Sequence, residues 1–143
     1  MNSDKNNLED LKVNVKIKLS ALWTSVTLCY LYGDYFDLYV PKKIEGLISG
    51  DNNLNSPTNL FFATAVLAIP AIMVFLSITL KASINRWLNI CVGLVFTAIM
   101  VLIAFTSFTL WRTFYVFLAI IESTITSSIV WYAWNWSKQN QNI

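Results

Sequence analysis

Four long apolar segments, separated by short polar stretches, dominate the chain. They cover residues 19–40, 60–80, 87–108 and 112–136. Each has roughly the 20 residues that a helix needs to cross a hydrocarbon core of about 30 Å at 1.5 Å per residue. The pattern predicts an all-α integral membrane protein, an antiparallel bundle of four transmembrane helices that forms one domain over residues 1–143.

The composition agrees with lipid as the main solvent of the chain. Hydrophobic residues make up 56% and charged residues 13%, with a mean hydropathy of +0.55, whereas soluble domains carry roughly 25% charged residues. The net charge is only +2, and the basic residues lie at segment ends without forming a basic face. This argues against nucleic-acid binding and makes the lipid bilayer the first expected partner.

The basic residues predict the orientation, because cytoplasmic loops are enriched in Lys and Arg. With a cytoplasmic amino terminus, the connection 41–59 is outside and both termini are inside. The outside basic residues are then Lys42, Lys43 and Arg112. The inside ones are Lys5, Lys12, Lys16, Lys18, Lys81, Arg86 and Lys138.

The connection 41–59 is the longest between two apolar segments. Ile44, Leu47 and Ile48 follow helical spacing within it. The spacing is compatible with a short amphipathic helix at the outer surface, which would cap a cavity between the spanning helices. The interpretation that we prefer is an ordinary connector whose apolar residues dip into the interface.

Missing residue types exclude several chemistries. The chain has no histidine, so bis-histidine haem ligation, the usual zinc sites and imidazole catalysis lack their ligand. Cys29 and Cys91 form no CxxC pair, and we interpret both as packing residues. We therefore expect no cofactor, no metal and no catalytic residue of these kinds.

Glu122 is the residue that most directly suggests a function. It lies near the middle of the fourth apolar segment, where a carboxylate costs at least about 2.5 kcal/mol on insertion scales. Such a group normally faces a partner, a cavity or a proton path. The polar residues that we expect to join it in a ligand site are Asp34, Asp37, Tyr30, Tyr115 and Thr126.

This set permits a water-filled vestibule that opens to the outside, with Asp34 at its mouth and Glu122 at its floor. Their separation along the membrane normal is under about 10 Å, from the helical rise per residue. Alternatively, Asp34 and Asp37 mark a helix end at headgroup level, and the hydroxyl groups bond their own backbone. Even a structural Glu122 needs a partner, so we predict that it faces the interior and is hydrogen-bonded, with Tyr30 or Tyr115 among the partners.

A second polar cluster lies at the inner end of the third segment. Asn85 and Asn89 are one helical turn apart, and Asn85 has the residue type that caps a helix start. Capping, together with anchoring by Arg86, explains this cluster structurally. The functional alternative is that Arg86, Asn85 and Asn89 contact a lipid headgroup or an anionic ligand at the inner surface.

A further set of strings carries a resemblance to known proteins. The set is Leu22-Trp23, Tyr30-Leu31-Tyr32-Gly33-Asp34, Pro41, Pro70, Asn85-Arg86-Trp87-Leu88-Asn89-Ile90, Glu122 and Trp131-Tyr132-Ala133-Trp134. With them the chain resembles a family of uncharacterised bacterial four-helix membrane proteins, a domain of unknown function whose architecture is similar to that of DoxX-like small membrane proteins. The resemblance implies a bacterial cytoplasmic membrane location and no particular activity. Ile69 stands where the resemblance leads us to expect a glutamate before the proline of the second helix.

Three classes of function fit these residues. The first is a protein that binds or transports a small apolar ligand or protons through the polar site at Glu122. The second is an assembly subunit that binds another membrane protein or its own copy, with the oligomeric state left open. The third is a subunit of a membrane enzyme that acts on a quinone or a lipid. We prefer the first two, because a hydrolytic or redox centre needs more reactive groups than the chain offers.

Overall fold

The computed structural model describes residues 12–52 and 54–136, so Lys5 and Lys138 lie outside the described residues. Within these ranges every regular element is helical, which confirms the all-helical class. The elements are α1 Val15–Asp37, α2 Lys43–Ser49, α3 Pro57–Thr79, α4 Ala82–Thr106 and α5 Thr113–Trp134, with a 3-10 turn, Leu110–Arg112, before α5.

Local signals account for several helix ends. The Asn14 side chain accepts a hydrogen bond from the Lys16 backbone N–H at 2.9 Å, which caps the start of α1. Ser56 caps α3 in the same way, and Pro57 follows at the first helical position, where its missing N–H costs nothing. Gly50 ends α2 with a φ of 77°, a left-handed conformation that glycine adopts without strain.

Among the described residues, three helices are long and apolar enough to cross a membrane, namely Pro57–Thr79, Ala82–Thr106 and Leu110–Trp134. Their length and composition indicate a membrane protein. α1 is equally long but is more polar, with lysines near its start and aspartates near its end. α1 is therefore not one of these three candidate spans.

The four long helices pack through one narrow face each. α1 packs against α3 and α5, and α4 packs most extensively against α5, whereas α3 and α4 barely touch although they follow each other in the chain. Leu19, Trp23 and Val26 of α1 are fully buried at helical spacing and form the core with Met73 and Ile129. The core is thus a thin seam to which all four long helices contribute.

Large apolar side chains cover the outer surface. Phe61, Phe62 and Phe75 of α3 are each more than 60% exposed. A soluble domain rarely exposes so continuous an apolar surface. Lipid contact explains this surface, because in a bilayer the outward faces of the helices need not be polar.

The connection between α1 and α3 contains the short helix α2. The structure therefore has a helix here and not an ordinary connector. No residue of α2 is buried, and Ile48 is 83% exposed. Its apolar side chains therefore point away from the bundle, as expected for a short helix at a membrane interface.

Gly93 allows the closest helix approach. A Cβ atom at this position would lie 2.8 Å from Val130 Cγ2 and 3.5 Å from the Thr126 carbonyl oxygen. Only glycine lets α4 pack so close to α5 at this point. The turn of α5 that carries Thr126 and Glu122 is held against α4 by this contact.

Candidate functional site

A cavity of about 150 Å³ lies between the four long helices. Each helix contributes to its wall, so the packing of the whole bundle shapes it. Its lining residues are Tyr30, Gly33 and Asp34 of α1, Val66 and Leu67 of α3, Phe96, Ile99, Met100 and Ile103 of α4, and Tyr115, Leu118 and Glu122 of α5.

Two polar groups at this cavity have no protein partner. Glu122 is only 4% exposed, and no described residue forms a hydrogen bond with its carboxyl group. The Tyr30 hydroxyl oxygen is buried and also lacks a partner among the described residues. Buried polar groups are nearly always hydrogen-bonded, so the Glu122 carboxyl group, which lines the cavity, requires water or a ligand there.

The structure brings Glu122 together with three of the residues predicted to join it. Tyr30, Asp34 and Tyr115 line the same cavity, and Asp34 is exposed, as a residue at a cavity mouth would be. Glu122 faces the interior as expected, but the predicted hydrogen bond to a tyrosine was wrong. Glu122, Tyr30 and Tyr115 line one cavity without a hydrogen bond between Glu122 and either tyrosine.

Asp37 lies outside this cavity. Its carboxylate forms an ion pair with Lys43 at 2.5 Å and lies 3.9 Å from Arg112. This cluster joins the end of α1 to α2 and to the start of α5, and Tyr115 lies between it and the cavity. Asp37 therefore links α1, α2 and the start of α5 at this end of the bundle. Nowhere in the described ranges do three or more potential metal-binding side chains cluster.

Thr126 is fully buried but does not line the cavity. Its hydroxyl group donates to the Glu122 backbone carbonyl at 2.9 Å and lies 2.7 Å from the Thr97 hydroxyl oxygen. The bond to the preceding turn is typical of threonine in membrane helices. Thr126 thus positions the turn of Glu122 against α4 and is not among the residues that line the cavity.

Asn85 and Asn89 belong to a buried network, which corrects both predictions for them. α4 begins at Ala82, so Asn85 does not cap it. Both side chains are fully buried and cannot contact a lipid headgroup. Asn85 donates to the Ser77 carbonyl at 2.6 Å, and Asn89 donates to Asn85 Oδ1 at 2.7 Å while it accepts from Trp23 Nε1 at 2.7 Å. The network ties α1, α3 and α4 together.

Arg86 and Lys16 bind helix ends. Arg86 donates from Nη2 to the Trp134 carbonyl oxygen at 3.0 Å, at the end of α5. Lys16 donates from Nζ to the Leu80 carbonyl oxygen at 2.6 Å, at the end of α3. Cations are favourable there because the last carbonyl groups of a helix lack intrahelical partners. An anion contact by Arg86 remains an expectation.

Sequence reasoning missed two groups of residues. Trp23 and Ser77 complete the asparagine network, and a tryptophan in mid-helix whose N–H needs a partner was an available signal for the first. No pattern in the sequence marked Phe96 and Met100 as the apolar wall of the cavity, because the residues around them in α4 are mostly apolar.

No curated protein and no solved structure matches the chain. A family model, described as a family of unknown function, matches residues 8–142 and so covers nearly all of the chain. The resemblance to a family of unknown function is confirmed to that extent. The chain belongs to this family, DUF6326.

Proposed function

We propose that this chain is a multi-pass protein of the bacterial cytoplasmic membrane, with α1, α3, α4 and α5 spanning the bilayer. α1 is 23 residues long, enough for a span. It packs against α3 and α5, both of which are apolar enough to cross a membrane. A helix in side-by-side contact with two spanning helices shares their depth, which supports an antiparallel four-helix bundle of the DoxX-like kind.

Both termini are on the cytoplasmic side in this proposal. Lys16 and Arg86 bind helix ends at one end of the bundle, and the positive-inside rule makes that end cytoplasmic. At the opposite end, Lys43 and Arg112 lie beside Asp37. The inner end therefore carries the unneutralised positive charge.

The function that the site supports best is binding of a small ligand in the cavity, with Glu122 as the polar contact. The observation that carries this proposal is the Glu122 carboxyl group, which is buried at the wall of the cavity and has no hydrogen-bond partner among the described residues. A purely structural carboxyl group would be bonded to protein, because leaving a buried polar group unsatisfied costs about 1–3 kcal/mol. Proton relay through Glu122 uses the same geometry.

The cavity volume restricts the ligand. A dry cavity of about 150 Å³ holds a molecule the size of benzene, and this cavity has that volume. Pockets for drug-sized ligands are larger, about 300–1,000 Å³. The ligand is therefore small, or only one end of a longer molecule enters the cavity.

Two routes into the cavity are open to such a molecule. Asp34 is exposed at one side, toward the outer end of α1. Val66 and Leu67 of α3 line the cavity and are 45% and 42% exposed, at the side where α3 and α4 scarcely meet. The second route leads directly from the bilayer, which suits an apolar ligand.

The assembly-subunit alternative has less support. A binding surface for a partner helix would leave polar groups unsatisfied on the outside of the bundle. On α5, however, the Thr124 and Ser128 hydroxyl groups donate to the carbonyl groups one turn earlier, at 2.9 and 2.8 Å. No observation favours the quinone- or lipid-linked enzyme over the binding protein.

The test compares two replacements of Glu122. Glu122→Gln keeps size and hydrogen bonding but removes titration, and Glu122→Leu removes the polar group. We measure thermal stability in detergent, and pH-dependent growth or uptake in cells that lack the native protein. Glu45→Gln is the matched control, because Glu45 is exposed on α2.

A ligand or proton site predicts that both Glu122 variants fold and that activity falls, most strongly for Glu122→Leu. If activity is already lost in Glu122→Gln, at an unchanged melting temperature, the role of Glu122 is titration. Activity equal to that of the parent in both variants contradicts the proposal and leaves the assembly subunit in front.

A further inference from the structure

The charges around the cavity are of one sign. Glu122 and Asp34 bring two carboxyl groups to its wall, and among the described residues that line it there is no Lys or Arg. The nearest basic side chains at this end, Lys43 and Arg112, lie beside Asp37. Neither Glu122 nor Asp34 forms an ion pair with a described residue. The wall is thus prepared for positive charge that the protein does not supply.

Aromatic rings form part of the same wall. Tyr30 and Phe96 lie with their centroids 6.2 Å apart, and Tyr115 lines the cavity from α5. Ring faces attract cations, and quaternary ammonium groups are commonly bound in cages of aromatic side chains. The remaining lining residues are aliphatic or Met, which suits an apolar body around the charge.

We propose that the ligand of the cavity is a small organic cation, an ammonium ion with a compact apolar body, whose charge is neutralised by Glu122 and Asp34. This inference rests on the proposed function, since it names the chemical class of the ligand for that same cavity. A neutral molecule of the same size would fill the volume but, unlike a cation, would not favour the ionised form of the Glu122 carboxyl group.

The wall does not suit a metal ion. Calcium and magnesium take six or more oxygen ligands, whereas the described part of the chain offers no cluster of three metal-binding side chains. An ammonium ion needs fewer polar contacts, because its methyl or alkyl groups pack against apolar walls. The volume of about 150 Å³ matches a cation with a few carbon atoms.

The experiment compares two probes of similar size that differ in charge, tetramethylammonium and tert-butanol. The full chain is purified in a maltoside detergent, because a phosphocholine detergent carries its own quaternary ammonium group and would compete. Binding is measured from the rise in melting temperature with probe concentration, since a ligand at free concentration c that binds only the folded state stabilises it by RT ln(1 + c/Kd), from which the Kd is fitted.

Tetramethylammonium is expected to raise the melting temperature of the parent protein, with a logarithmic dependence on its concentration above the Kd. It should bind at least about tenfold more tightly than tert-butanol. In Glu122→Gln its affinity should fall by at least about tenfold, because removing one partner of a buried charge pair strongly raises dissociation. Asp34→Asn removes the other carboxylate at an exposed position, so it provides the same test if Glu122→Gln does not fold. Glu45→Gln should bind as the parent does.

Three outcomes would overturn the inference or the proposal beneath it. Equal or tighter binding of tert-butanol, unaffected by Glu122→Gln, makes the site one for a neutral ligand and refutes only the cation. Equal tetramethylammonium affinity in the parent and in both carboxyl variants assigns the binding to another surface and also refutes the cation. Failure of both probes to stabilise the parent contradicts the small-ligand function itself.

Discussion

Two glycines in the bundle predict opposite effects of the same substitution. At Gly93 a new Cβ would lie 2.8 Å from Val130 Cγ2, closer than real Cβ contacts. At Gly33 it would lie 3.5 Å from Leu118 Cδ1 and 3.7 Å from Tyr115 Cε2, in ordinary van der Waals contact. Gly93→Ala should therefore strain the α4–α5 contact, whereas Gly33→Ala should fit.

Two opposing contributions determine how much each substitution changes the free energy of unfolding. Alanine is favoured over glycine in a helix interior by about 0.8–1.0 kcal/mol. Overpacking a filled contact costs about 1–3 kcal/mol, and Val130 gives way poorly because its branched side chain is restricted at χ1. We expect Gly93→Ala to destabilise the protein by roughly 1 kcal/mol net, and Gly33→Ala to stabilise it by up to about 1 kcal/mol.

The assay is unfolding by SDS titration in mixed micelles, followed by circular dichroism. Val130→Ala in the Gly93→Ala background removes the Cγ2 atom that the new Cβ meets, so part of the loss should return. If Gly93→Ala is as stable as Gly33→Ala, α4 and α5 do not pack at the distance that the structure gives, and the account of the Glu122 turn is wrong.

Two further predictions concern the asparagine network and the topology. Asn89→Leu leaves the buried Trp23 indole N–H without its acceptor, so it should lower the free energy of unfolding by about 1–3 kcal/mol. The exposed control, Asn135→Leu, should change the free energy of unfolding by no more than about 0.5 kcal/mol. Equal losses in the two variants would refute the network. In intact cells, a membrane-impermeant thiol reagent should label Asn52→Cys from outside and Ser83→Cys only after the inner face is exposed, whereas the reverse pattern would invert the orientation.

The helices themselves were predictable because a bilayer imposes their length. Apolar segments of about 20 residues leave little choice of structure, since every backbone polar group must be bonded within the segment. The inward direction of Glu122 followed from the same physics, because a carboxyl group facing lipid is costly. Its neighbours Asp34 and Tyr30 came from helical rise and spacing alone.

The rotation of each helix and its neighbours were not predictable. Along most of α3, α4 and α5, lipid-facing and core-facing positions are alike in hydrophobicity. The sequence therefore did not indicate that Asn85 and Asn89 turn inward to meet Trp23, nor that Phe96 forms the cavity wall. Contacts between helices decide these features, and in membranes those contacts depend on packing and hydrogen bonds more than on a hydrophobic pattern.

The most direct test of the central claim is whether a small hydrophilic reagent reaches position 122. In a variant with Cys29 and Cys91 replaced by alanine, Glu122→Cys is treated from outside with the small cationic reagent aminoethyl methanethiosulfonate. The control is Ile120→Cys, two positions away on the same helix, where the side chain is 57% exposed on the apolar surface. Methanethiosulfonates react with thiolates, which form where water reaches the sulfur. The cavity predicts labelling of Glu122→Cys and none of Ile120→Cys, whereas an unreactive Glu122→Cys would contradict an accessible cavity at Glu122.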